Sequence, residues 1–136
     1  MNYLHPEEQY IIDFQASCPA ETPVVMLNLL KFNAQANYLP ADEALPCSGA
    51  EAFARYGQAV TPLIDGCGGS QVWIGRPAAM LIGPQDKDWH LTVLVKYPSA
   101  QAFIDMIRSA NYQAASIHRT AALEDSRLIA HQELQV

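Results

Sequence analysis

An amide in the middle of an unbroken apolar run is the first place in this chain where a side chain could do chemistry. Asn28 stands in PVVMLNLLKF, Pro23 to Phe32. Burying an amide without partners costs roughly 1–3 kcal/mol, so Asn28 is either satisfied by neighbouring groups or kept to donate to a ligand carbonyl or enolate oxygen. His90 opens a second branched apolar run and belongs to the residue type that titrates near neutrality. It is a candidate general base, although the parity it shares with Lys96 favours a solvent-facing strand end. Tyr56 falls on the apolar face of a helical pattern and Trp73 in a strand pattern; both can pack a ring and present a polar tip to a cavity, with core packing the simpler reading of Trp73. Arg119, beside His118, either clamps a ligand carboxylate or pairs with Glu124 or Asp125, and the pair is the favoured reading. Lys31, ending its strand, reads more simply as a snorkelling side chain than as a substrate contact. The candidates are thus Asn28, His90 and Tyr56 for proton transfer and oxyanion stabilisation, and Trp73, Arg119 and Lys31 for substrate binding.

Other chemistries find no footing. The four histidines, His5, His90, His118 and His131, show no HxH or HExxH spacing, so no dedicated metal site is expected. Haem needs one proximal His, and nothing selects one. Gly66, Gly68 and Gly69 precede a strand instead of opening a helix, unlike a phosphate cradle. No cofactor is expected. Cys18, Cys47 and Cys67 are odd in number and dispersed, as in a reduced cytoplasmic protein. The beginning, MNYLHPEEQY, lacks an apolar signal core, and no apolar run approaches the ~20 residues that span a bilayer. A net charge of -6 with scattered Lys and Arg argues against nucleic acid or an anionic membrane, and leaves a small neutral or weakly polar ligand.

The elements that must position these residues follow from periodicity. With 136 residues and 50% apolar content, one domain with a real core is expected, residues 1–22 forming a leading helix and linker and 23–132 the core. Pro6, Glu7 and Glu8 suit a first helical turn, followed by Tyr10, Ile11 and Phe14 on one face. The Pro23–Phe32 run is apolar on both faces, as in a central strand. Residues 33–47 have neither period and read as a long loop. Ser48 with Glu51 makes a capping box for a helix through Ile64, with a kink at Pro62. Gln71 to Ile82 reads as a strand interrupted at Arg76 and Pro77, and Gly83 to Asp88 as a turn. His90 to Tyr97 is the clearest strand; Pro98 stops it and Ser99 caps a helix carrying Phe103, Met106, Ile107 and Ala110. A short helical stretch within Tyr112 to Leu123 and a strand over Ser126 to His131 close the chain.

This order is that of an α+β ferredoxin-like βαββαβ fold, an antiparallel sheet with helices on one face and an extra N-terminal helix. The second face of the sheet needs cover, most economically from another copy, so a homodimer is expected.

The chain resembles a known family through PVVMLNLLKF, Tyr56-Gly57, Gly68-Gly69 before Trp73-Ile74-Gly75, Trp89, Tyr97-Pro98-Ser99, and His118-Arg119 through Leu128. These residues look like the uncharacterised family catalogued as domain of unknown function 1330, over nearly all of Pro23 to Ile129. The resemblance implies a dimeric α+β barrel with a ligand between the helices and sheet of one subunit. It leaves activity open, since relatives include cofactor-independent quinone-forming monooxygenases, lactone isomerases, haem-dependent dismutases and stress-responsive proteins without assigned chemistry. Two functions therefore stand. One is a small-molecule-binding domain, monooxygenase- or isomerase-like, acting on an apolar or phenolic substrate. The other is a non-catalytic structural or stress-related dimer whose cavity is filled by Trp73, Met26, Phe103 and Met106; a partner-capturing role for the 33–47 loop is a further form of it.

Overall fold

In the computed structural model, which describes residues 2–86 and 88–135, helix α1 (Glu8–Ser17) leads into strand β1 (Val24–Phe32) and helix α2 (Gly49–Gly66). Strands β2 (Ser70–Gly75) and β3 (Leu91–Tyr97), helices α3 (Ala100–Arg108) and α4 (Ala110–Ala122), and strand β4 (Leu123–Gln132) follow. The strands form one antiparallel sheet in the order β2-β3-β1-β4. With the core helices on one face, this is an α+β ferredoxin-like fold carrying an additional N-terminal helix.

Local chemistry sets the boundaries. Ser48 Oγ accepts from the Glu51 N–H while Glu51 accepts from the Ser48 N–H, the reciprocal box that starts α2. The helix runs through Pro62 to Gly66, and Gly68 then takes the left-handed φ of 85° that turns the chain into β2. Ser99 caps α3 by accepting from the Ala102 N–H at 3.1 Å. Ser109 closes α3 and opens α4: its hydroxyl donates to the Met106 carbonyl and accepts from the Tyr112 N–H. That cap extends the short helical stretch expected after Tyr112 to a 13-residue helix beginning at Ala110.

The core lies between sheet and helices, where Val24, Met26 and Leu30 of β1 meet Val93, Val95 and Tyr97 of β3 and Phe103, Ile104 and Met106 of α3. α2 packs on α4 through small residues, with Ala52, Ala115 and Ala122 fully buried. Gly49, at the start of α2, admits no Cβ, which would collide with the Asn33 and Ala122 carbonyls. The long loop is pinned rather than free: the Asn33 and Asn37 N–H groups donate to Ala122 and Ala121 carbonyls, each at 2.8 Å.

Two strand expectations are corrected. β2 ends at Gly75 and does not resume at Met80 and Ile82, because Pro77 cannot donate to the sheet and the chain leaves the edge; Leu81 and Ile82 stand 90% and 95% exposed. Lys87, within the expected 83–88 turn, lies outside the described residues. The pairing of β2 with β3 also shifts between Gln71 and Trp73, so that Gln71 opposes Val95 but Trp73 opposes Leu94. This bulge puts Trp73 on the face away from the helices, with Ile74 turned toward them.

That second face is apolar and open. Leu27 and Leu29 of β1 and Leu94 of β3 are half-buried, and Trp73 and Ile129 remain 54% and 48% exposed. Among the described residues no helix is long and apolar enough to cross a membrane.

Candidate functional site

The alternation of β1 and β3 directs Met26, Asn28, Leu30, Leu91, Val93 and Val95 toward the helices. The helices do not settle fully onto them, and a cavity of about 780 Å³ remains. Its floor is this apolar strand surface, and its walls come from Phe53, Tyr56 and Gly57 of α2, Phe103 and Met106 of α3, and Tyr112 and Arg119 of α4. Residues 3–6 of the leading segment line one side. The volume lies within the ~300–1,000 Å³ usual for small-molecule sites.

Asn28 reaches the cavity and is also partly satisfied. Its Nδ2 donates to the Val93 carbonyl at 3.3 Å, a long bond that leaves the amide oxygen and the second amide hydrogen for other partners. Asn28 is thus held in part by the backbone and still borders the cavity.

Tyr56 and Tyr112 meet across the α2–α4 seam. Their hydroxyl oxygens are 3.1 Å apart and their rings pack edge to face at 6.2 Å. Two phenols carry two O–H hydrogens and share one bond, so the pair keeps one donor for a third group. Burial, with the neighbouring Tyr112 hydroxyl adding to it, pushes the Tyr56 phenol well above its ordinary range, while the Arg119 charge pulls the other way. Tyr56 is therefore protonated at neutral pH, and its hydroxyl is able to donate a hydrogen bond.

Arg119 lines the same cavity and donates from Nη1 to the Leu4 carbonyl at 2.7 Å. The favoured pairing with Glu124 or Asp125 does not form. Glu124 sits 3.4 Å from Lys31 Nζ, and Asp125 accepts from Arg127 at 2.8 Å. Arg119 borders the cavity and donates to Leu4, while Glu124 and Asp125 take Lys31 and Arg127 as partners.

The remaining candidates lie elsewhere. His90 does not line the cavity: its Nδ1 accepts the Phe32 N–H at 3.0 Å and its Nε2 faces Asp88 at 3.6 Å. With Nδ1 occupied, the ring closes the end of β1 as a backbone cap. Lys31 and Trp73 lie on the opposite face of the sheet, where neither meets Asn28. Asn28, Tyr56 and Arg119 are thus brought together, and His90, Lys31 and Trp73 are not.

Tyr112, Ser116 and His5 join the site beside the residues the sequence singled out. Tyr112, Ser116 and Arg119 recur at helical spacing, a polar stripe on the inner face of α4 that periodicity reveals once the helix is known to begin at Ala110. His5 is brought in from the leading segment, its Nε2 3.4 Å from Thr120 Oγ1. Burial and then the Arg119 charge lower its pKa below the ordinary 6.5, so its imidazole is neutral at neutral pH.

Outside the cavity, Tyr38 of the long loop lies over α2 and α4, its hydroxyl 2.6 Å from His118 Nδ1 and accepting from Arg55 at 3.3 Å. Among the described residues, no three His, Cys, Asp or Glu side chains gather as a metal ligand set.

Comparison with known proteins places these features in context. The family described as "Domain of unknown function (DUF1330)" matches residues 45–132, a span that holds Tyr56, Tyr112 and Arg119 but begins after Asn28. Among solved structures, RPA0582, a protein of unknown function from Rhodopseudomonas palustris, is 40% identical over 100% of both chains, with a TM-score of 0.91. Methylated RPA0582 is likewise 40% identical, covering 98% of this chain and 96% of that one at a TM-score of 0.90. A dimeric protein of unknown function and ferredoxin-like fold from Bacteroides fragilis is 9% identical, covering 85% of this chain and 100% of that one at 0.52, a likeness of fold alone. No curated protein matches.

Proposed function

The chain belongs to the DUF1330 family, and from the cavity between its helices and sheet we propose that it is a small-molecule-binding domain working as a homodimer. One observation carries the binding reading. The 780 Å³ cavity reaches Asn28 and the phenol pair, and Met26, Phe103 and Met106 line this space without filling it. Its rival, a structural dimer with a filled cavity, needed Trp73 inside, and the bulge in β2 turns that ring to the other face. The dimer is supported by the open apolar face formed around Leu27, Leu94 and Trp73, which a second sheet would cover. The three free thiols fit a cytoplasmic location.

The chemistry available to such a site is proton transfer beside hydrogen-bond donors. A neutral His5 can take a proton from an activated C–H or O–H group, and the Tyr56–Tyr112 pair or Asn28 can donate to the oxyanion formed. The anion would be reprotonated at another atom, as in an isomerisation, or react with dioxygen as the oxidant. Native mass spectrometry of gently purified protein tests the main reading. A dimer retaining a defined small molecule is expected; a monomer with no retained mass, together with failure to bind the neutral apolar probe 1-aminoanthracene, would overturn it.

A further inference from the structure

We propose that the ligand of this cavity is a small organic monocarboxylate, its carboxylate seated on the Arg119 guanidinium and the free O–H of the Tyr56–Tyr112 pair, its apolar body lying on Met26, Leu91 and Val93. This deepens the small-molecule-binding reading and rests on it.

The charges around the cavity lead to this class. Three arginines line it. Arg108 is neutralised by Glu8 at 2.6 Å. Arg127 is neutralised by Asp125 at 2.8 Å and stacked between the Tyr3 and Trp89 rings, its guanidinium carbon 4.8 and 5.3 Å from their centroids. Arg119 is different. It is bonded to the Leu4 carbonyl and, among the described residues, meets no carboxylate. A guanidinium facing apolar walls is disfavoured unless an anion compensates it, and a carbonyl is a dipole only.

The donor geometry narrows the anion. A guanidinium has five N–H donors, of which the Leu4 carbonyl takes one, and its planar fork matches the two oxygens of a carboxylate. The phenol pair adds one neutral O–H. His5 adds no charge, because it is neutral at neutral pH. Among the described residues that line the cavity, one uncompensated cation suits a monoanion; a phosphate monoester would bring nearly two charges to a single arginine. Of the lining carboxylates, Glu8 is occupied by Arg108, and Asp65 lies nine residues along α2 from Tyr56, about 13 Å at the helical rise. Asp65 therefore stands at the far end and does not compete for Arg119. Beyond the polar head, the strand surface offers aliphatic side chains, so the rest of the ligand is apolar.

The test uses a matched pair, 4-phenylbutyrate and its neutral amide 4-phenylbutyramide, each displacing 1-aminoanthracene at pH 7.5. The carboxylate is expected to bind about tenfold or more tighter than the amide, as a charge-assisted contact implies. Arg119→Met should remove that preference and Tyr112→Phe should reduce it severalfold, with melting curves reporting on the fold of each variant. Equal binding of acid and amide to the unmodified protein would overturn the carboxylate assignment and leave the cavity reading standing, as would a bound dye displaced by neither. Failure of the dye itself to bind would overturn both.

Discussion

Substituting Gly49 by alanine sets helix propensity against close packing, and the two give opposite signs. Alanine is favoured over glycine within a helix by up to about 1 kcal/mol, so propensity alone implies stabilisation. At Gly49 the added methyl would collide with the carbonyls of Asn33 and Ala122, which are backbone atoms and cannot rotate aside. Both also accept hydrogen bonds that hold β1, the loop and α2 together: Gly49 N–H to Asn33 at 3.1 Å and Asn33 N–H to Ala122 at 2.8 Å. Weakening two such bonds at about 0.5–1.5 kcal/mol each, with about 1–3 kcal/mol of overpacking, outweighs the propensity gain. The net loss is about 1–5 kcal/mol. With a urea dependence of about 2 kcal/mol per molar, the unfolding midpoint falls by about 0.5–2.5 M. Urea unfolding followed by circular dichroism reads this directly. An unchanged or higher midpoint would refute the packing of α2 against this junction and, with it, the position of Phe53 and Tyr56 over the cavity.

Other expectations follow from the same contacts. His90→Ala orphans the Phe32 N–H and should destabilise the fold by about 1–2 kcal/mol while leaving 1-aminoanthracene affinity unchanged; a loss of affinity at unchanged stability would return His90 to the site. His118 has its pKa lowered by burial and then by the Arg55 charge, so the folded state favours its neutral form. Its stabilising effect is whole above about pH 6.5 and lost as pH falls from there through the lower folded value, so His118→Gln should flatten the melting temperature between pH 7 and 5. Identical pH profiles for the two proteins would contradict this. Leu27→Lys, on the open sheet face, should yield a monomer in sedimentation if that face joins two copies; a persistent dimer would locate the interface elsewhere.

Much of the fold was legible because it rests on local patterns. The alternation of His90–Tyr97, the Ser48–Glu51 box and the Ser99 cap depend on residues within one strand or turn, and each appears where the sequence puts it. The site was legible only in part. Asn28 stood out as an amide in an apolar run, and its reach into the cavity follows from parity. Trp73 read most simply as a core ring, yet the bulge after Gln71 sets it opposite Leu94, on the face away from the helices. His90 read as a solvent-facing strand end or a base because its partner, the Phe32 N–H, lies 58 positions away and nothing nearby announces it. His5 was overlooked for the same reason, its neighbour Thr120 being 115 positions off. The fate of Arg119 turned on contacts distant in sequence: the Leu4 carbonyl, 115 positions away, takes its N–H, while Glu124 and Asp125 pair with Lys31 and Arg127.

Gly57 provides the most direct test of the cavity. It lies mid-helix in α2 and lines the space, yet a Cβ built there meets no atom within 4 Å, so neither tight packing nor backbone strain calls for glycine. Gly57→Phe would project a ring into the cavity, with helix propensity favouring the change. The decisive measurement is 1-aminoanthracene binding to the unmodified protein and to Gly57→Phe, with melting temperatures recorded alongside. The expected result is one dye per protomer in the unmodified protein and at least tenfold weaker binding in the variant, at equal or higher melting temperature. Equal binding by both proteins would contradict the assignment of the ligand to the space between the helices and the sheet.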